Sequence, residues 1–135
     1  MPYNLNLEPF LSAAQRLDVR LEKNVPLSRL TRFGIGGPAD VLIETEDEPA
    51  FLELLRVAAT AGIPYMVLGG GSNLIVSDEG YRGVILRYRG ARISLEQSQI
   101  HAQAGADLQA LVDFSIAHGL AGLHTMTRIP GWVLS

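Results

Sequence analysis

Five consecutive residues, Gly69, Gly70, Gly71, Ser72 and Asn73, follow directly on the apolar run Tyr65 to Leu68. Successive glycines leave their backbone N–H groups unshielded, and such groups can converge into a concave nest for an anion such as phosphate. The same five residues also read as a tight turn. Three nucleotide and nucleophile motifs are excluded at this loop. A dinucleotide fingerprint needs glycine where Leu74 stands, and a helix behind it. A P-loop needs a lysine before its hydroxyl residue, and Lys23 is the only lysine in the chain. A nucleophile elbow on Ser72 again requires glycine at position 74, so Ser72 reads as a hydrogen-bond donor rather than a nucleophile. His101, His118 and His124 lack metal-ligand spacing and read as surface or loop residues, so no metal site is expected. With no cysteine, a thiolate zinc site, a disulfide scaffold and a cysteine nucleophile are all closed.

The elements that must position the loop follow from apolar spacing. Residues 8–21 carry Phe10, Ala13, Ala14, Leu17 and Leu21 at helical spacing behind Pro9. Residues 24–32 read as a loop, and residues 33–40 pack three glycines and a proline into eight positions. Val41 to Ile43 reads as a buried strand. The clearest helix follows: Asp47 as cap, Pro49 in the first turn, Phe51, Leu54, Leu55 and Ala58 on one face, and Gly62 at the left-handed end. Strands are expected at residues 65–68, 74–76, 84–88, 93–95 and 100–104, with a turn at Asp78 to Gly80. A last helix runs from a cap at Asp107 through Leu108, Leu111, Val112 and Ile116 to Gly119. This order predicts an α+β or mixed α/β domain with a small sheet on each side of the glycine-rich loop.

Composition fits a single soluble globular domain: 135 residues, 47% hydrophobic, 14 acidic against 11 basic side chains and a net charge of −3. The basic residues are scattered, which argues against nucleic acid as a partner. The nearest approach to a cluster, Arg82, Arg87, Arg89 and Arg92, reads as a solvated face. No uncharged apolar run approaches the roughly 18 residues of a membrane span, and the first eleven residues lack a basic signal-peptide region. No membrane partner is expected, and the expected location is cytoplasmic.

Three blocks fall in order along the chain. The first is Thr31, Phe33, Ile35, Gly36, Gly37, Pro38, Ala39 and Asp40. The second is Leu68 to Asn73 with Ser77 to Gly80 and Gly83. The third is Ala104, Gly105, Gly119, Leu120, Gly122, Leu123, Ile129, Pro130 and Gly131. Over about residues 24–131 the chain resembles the amino-terminal part of the UDP-N-acetylenolpyruvoylglucosamine reductases, also called UDP-N-acetylmuramate dehydrogenases. The resemblance implies an α+β FAD-binding domain of the vanillyl-alcohol oxidase and p-cresol methylhydroxylase type, built of two subdomains. It implies residues 1–23 as a helical leader and 24–135 as that domain, incomplete at its C-terminus and without the family's substrate-binding domain.

The implied activity is NADPH-dependent, FAD-mediated reduction of the enolpyruvyl ether of a UDP-sugar to UDP-N-acetylmuramate, for the peptidoglycan of the cell wall. Carried onto this chain, Gly69, Gly70, Gly71, Ser72 and Asn73 would wrap the FAD pyrophosphate, in agreement with the nest reading. Ile129, Pro130 and Gly131 would form a second cofactor loop nearer the flavin. Gly36 and Gly37 read as a turn that shapes the domain. The family's arginine, serine general acid and glutamate lie later in its chain, so no catalytic residue is assigned here, and these 135 residues alone are expected to be inactive. After Gly131 the family continues with a small hydroxyl residue, valine, two glycines and alanine; this chain has Trp132, Val133, Leu134 and Ser135. Arg128 stands where the family often has a small residue. The alternative reading is a non-catalytic nucleotide- or flavin-binding module, or a degenerate structural one. The sequence leaves the oligomeric state open.

Overall fold

Asp47 starts the central helix by accepting a hydrogen bond from the Ala50 N–H through its carboxylate, at 3.2 Å, and α2 then runs over Glu48–Thr60. The computed structural model to which this belongs describes residues 5–31, 34–69, 78–120, 122–123 and 132–133. Helix α2 ends in a Schellman motif: the Ile63 N–H reaches the Ala58 carbonyl while Gly62 turns left-handed at φ +68°. Helix α3 (Leu108–Ala117) repeats both devices, with Asp107 capping the Ala110 N–H and Gly119 at φ +70°. Both helices match the sequence reading.

Helix α1 is shorter than its apolar spacing suggests. It covers Glu8–Arg16, after which Asp18 adopts φ +54° and closes the helix with a Val19 N–H to Ala14 carbonyl bond. Leu21, read as its last apolar position, instead begins strand β1 (Leu21–Pro26), where a loop was expected from residue 24. The polar triple Glu22, Lys23 and Asn24 hides this strand. It lies at a sheet edge, where charged side chains are tolerated because one side faces water. It is paired all the same, antiparallel to β2 (Pro38–Thr45) from Leu21 opposite Ile43 to Pro26 opposite Pro38.

One four-stranded sheet, in the order β1-β2-β4-β3, contains both β3 (Tyr65–Val67) and β4 (Tyr81–Tyr88). This corrects the expectation of separate sheets flanking the glycine-rich segment, since the segment joins two strands of the same sheet. The strand expected at residues 74–76 lies outside the described residues. A hairpin of β5 (Ile93–Glu96) and β6 (Gln99–Ala102) forms a second, two-stranded sheet.

Side-chain alternation along the strands sets the two sheet faces. Val41, Ile43, Val84 and Leu86 pack with Phe10, Ala13 and Ala14 of α1 and Leu54 and Ala58 of α2. Full burial of each large side chain in this cluster contributes about 1.5–3 kcal/mol. The other face carries Leu42 and Ile85 beneath Leu27, Leu30 and Leu68. Helix α1, from the leader expected at residues 1–23, therefore shares the sheet's core, and β1 runs across that boundary.

Candidate functional site

Strand β3 is parallel to β4, with Tyr65, Met66 and Val67 opposite Val84, Ile85 and Leu86. Parallel neighbours cannot be joined by a tight turn; the chain must travel back along the sheet, which takes roughly a dozen residues. Residues 68–80 are that crossover. Both ends of the crossover are fixed. At its start the Leu68 N–H donates to the Leu86 carbonyl at 3.0 Å, and Gly69 is buried.

At its return, Asp78 to Gly80 lies against Gly37 and Pro38. A Cβ on Gly37 would fall on the Asp78 carbonyl oxygen and 2.6 Å from the Gly80 nitrogen, and one on Gly80 would fall on the Pro38 carbonyl oxygen. The 36–37 segment is held in turn by the Leu27 and Ser28 N–H groups, which donate to the Gly37 and Gly36 carbonyls at 2.9 and 3.1 Å. Gly36 and Gly37 thus shape the domain.

A bulge follows where the crossover rejoins the sheet: between the pairs Ala39 with Tyr81 and Val41 with Val84, the single residue Asp40 faces both Arg82 and Gly83. The Asp40 carboxylate stitches the bulge, accepting from the Gly83 N–H at 2.8 Å and the Arg82 Nε at 3.1 Å. Arg82 is exposed, so the backbone bond carries most of the stabilisation. Replacing Asp40 with alanine leaves the Gly83 N–H without this acceptor and is expected to cost about 1–3 kcal/mol. A lowered urea midpoint at unchanged slope would register that loss; an unmoved midpoint would remove the stitching role.

The opposite end of β4 carries an unusual group. Arg87 is only 9% exposed, and its Nε has no hydrogen-bond partner among the described residues. Burial lowers its pKa, partly offset by the Glu44 carboxylate. Glu44 is its partner across the strands but is engaged by Arg89, at 2.7 Å. The indole of Trp132 covers the Arg87 guanidinium at 4.4 Å and approaches that of Arg89 at 5.6 Å. An antiparallel bridge between Trp132 and Asp107 holds the indole there, with the Val133 N–H donating to the Ala106 carbonyl at 2.8 Å. The solvated-face reading of the arginines therefore holds for Arg82 and Arg89, whose side chains are 66% and 51% exposed, and is corrected for Arg87. Strand β4 is buried on both faces to its end, which brings Arg87 in behind Ile85 on the face away from α1 and α2.

Of the residues predicted to form the site, Gly69 is described, at the end of β3. Gly70, Gly71, Ser72, Asn73, Ile129, Pro130 and Gly131 lie outside the described residues. Gly105 has a local packing role: a Cβ there would come 2.6 Å from the Arg89 carbonyl carbon, so the chain before α3 is pressed onto the end of β4. Arg87 was missed because its sequence signal is small: an arginine two positions after Ile85 in an otherwise apolar strand. Among the described residues no group of three or more acidic or histidine side chains is arranged to hold a metal ion, and no helix is long and apolar enough to cross a membrane.

Residues 39–134 match the family described as "FAD binding domain". The chain belongs to the FAD-binding domain family. Its relatives include the UDP-N-acetylenolpyruvoylglucosamine reductase of Solibacter usitatus, 49% identical over 116 residues that make up 86% of this chain and 37% of that protein. UDP-N-acetylenolpyruvoylglucosamine reductase 2 of Symbiobacterium thermophilum is 43% identical, over 84% of this chain and 38% of that one. The crystal structure of the Thermus caldophilus UDP-N-acetylenolpyruvylglucosamine reductase superposes with a TM-score of 0.66 at 36% identity, covering 85% of this chain and 40% of that one. A solvent-stable cholesterol oxidase shares the fold at a TM-score of 0.53 and 16% identity, over 88% of this chain and 22% of that one.

The motif resemblance to the reductases is therefore upheld, and the fold of this FAD-binding domain is α+β, of the vanillyl-alcohol oxidase type. The chain spans under two fifths of the length of the two curated relatives named.

Proposed function

We propose that the chain is the FAD-binding part of a UDP-N-acetylenolpyruvoylglucosamine reductase. In this reading it holds FAD for the NADPH-dependent reduction of UDP-N-acetylenolpyruvoylglucosamine to UDP-N-acetylmuramate, in the cytoplasm, as a step towards cell-wall peptidoglycan. The observation that carries it is the 49% identity to a reductase of that name, which extends over 86% of this chain. The local chemistry fits a dinucleotide. Its diphosphate bears two negative charges, and the end of β4 carries two cations, Arg87 and Arg89, with Glu44 bound to Arg89.

Bound FAD supplies hydride chemistry, accepting from the nicotinamide and passing on to the enolpyruvyl carbon. This chain's part is to bind and orient it. Backbone N–H groups of Gly69 to Asn73, with the Ser72 and Asn73 side chains, would hold the diphosphate. The segment Ile129, Pro130 and Gly131 would form a second cofactor loop nearer the flavin. The sheet and the Asp40-stitched bulge fix where the crossover begins and ends.

None of these residues donates a proton to the reduced carbon, and reduction of a vinyl ether requires one. The purified 135-residue chain, supplied with FAD, NADPH and UDP-N-acetylenolpyruvoylglucosamine, is therefore expected to show no substrate-dependent loss of NADPH absorbance. Substrate-dependent turnover would overturn the division of labour proposed here.

A further inference from the structure

The geometry points to Arg87 as the cation that holds the cofactor diphosphate, with the Trp132 indole shielding it from water. The inference rests on the FAD reading above and adds a residue to it.

A guanidinium carries five N–H donors and stays charged when buried. Leaving such a group unpaired is costly, and natural proteins pair buried charges or use them on ligands. Arg87 is nine-tenths buried, and its buried Nε has no hydrogen-bond partner among the described residues. Its one acidic neighbour, Glu44, is engaged by Arg89. The indole contact stabilises the cation's face but satisfies none of its N–H groups, which lie in the guanidinium plane. An anion fills that need.

The position selects which anion. Leu68 is tied to Leu86, one residue before Arg87, so the glycine segment leaves the sheet beside this side chain's strand position. Trp132, which covers the guanidinium, follows immediately on Gly131. The described residues that border the two segments assigned to the cofactor, Leu68 and Trp132, are therefore tied to β4 at Leu86 and at Arg87. A diphosphate diester is the part of FAD that carries charge at neutral pH, and a guanidinium fork matches its oxygens.

Affinity and stability separate a ligand-binding arginine from a structural one. Wild type, Arg87→Met and Arg87→Lys would each be titrated with FAD, ADP-ribose and riboflavin, with thermal unfolding of the ligand-free proteins in parallel. Arg87→Met is expected to weaken FAD and ADP-ribose at least about tenfold and leave riboflavin, which has no phosphate, unchanged. Arg87→Lys retains the charge and is expected to fall between. The ligand-free Met variant is expected to melt no lower than wild type, because removing an unpaired buried charge relieves a cost. FAD affinity unchanged in Arg87→Met would overturn the inference while leaving the FAD reading standing. Equal weakening of riboflavin, or a lower melting point with affinity retained, would make Arg87 a structural residue. Wild type that binds neither FAD nor ADP-ribose would instead overturn the FAD reading, and the inference with it.

Discussion

Replacing Gly80 with valine is expected to destabilise the domain by more than about 4 kcal/mol. Gly80 sits at φ +87°, a conformation that a β-branched residue rarely adopts, and its Cβ would land on the Pro38 carbonyl oxygen, with the Pro38 nitrogen 2.8 Å away. Neither atom can retreat. Pro38 opens β2 and is paired with Pro26, and the preceding carbonyls are held by Leu27 and Ser28. Backbone strain of about 1–2 kcal/mol adds to the collision, for a total expected above about 4 kcal/mol. That is a large share of the roughly 7–20 kcal/mol typical of a domain this size.

Gly62→Ala is the control. It has the same sign of φ, at +68°, but no atom within 4 Å of the added methyl, so strain of about 1 kcal/mol is its whole effect. Thermal unfolding of both variants checks the contrast. A Gly80→Val protein melting within a few degrees of Gly62→Ala would show that the crossover's return is not anchored on residues 37–38.

The contrast also shows where sequence reading succeeded. Helices α2 and α3 were legible because their signals are local: an aspartate that accepts an N–H from within its own first turn, an apolar stripe, and a glycine just past the end. Strand β1 was not, because Glu22, Lys23 and Asn24 look like loop and only their pairing with β2 makes them strand. The membership of β3 and β4 in one parallel sheet was equally hidden, since parallel pairing leaves no mark at the connection itself. That single fact makes residues 68–80 a crossover between parallel neighbours. The phosphate-nest reading of Gly69 to Asn73 rests on residue type alone, and Gly70 to Asn73 lie outside the described residues. Arg87 was not legible, because its burial depends on Trp132, forty-five positions later in the chain.

The second large effect is on binding. Gly70→Val is expected to remove FAD affinity, by at least about a hundredfold, equivalent to about 2.7 kcal/mol. A backbone nest works only where N–H groups approach the phosphate oxygens without an intervening side chain, and a branched Cβ in the middle of the triad blocks that approach. Retention of FAD at unchanged affinity by a folded Gly70→Val protein would remove the diphosphate from this segment. Comparison with Arg87→Met then separates the two contributions: the glycine variant loses shape and the arginine variant loses charge.

Titration of the purified 135-residue chain with FAD, followed by quenching of flavin fluorescence, tests the central claim most directly. Saturable binding is predicted, weaker than about 1 µM because the chain spans under two fifths of the length of the two curated relatives named, and complete by about 1 mM. It should be abolished by Gly70→Val. A folded chain that leaves flavin fluorescence unchanged across that range would contradict the assignment of these residues to FAD.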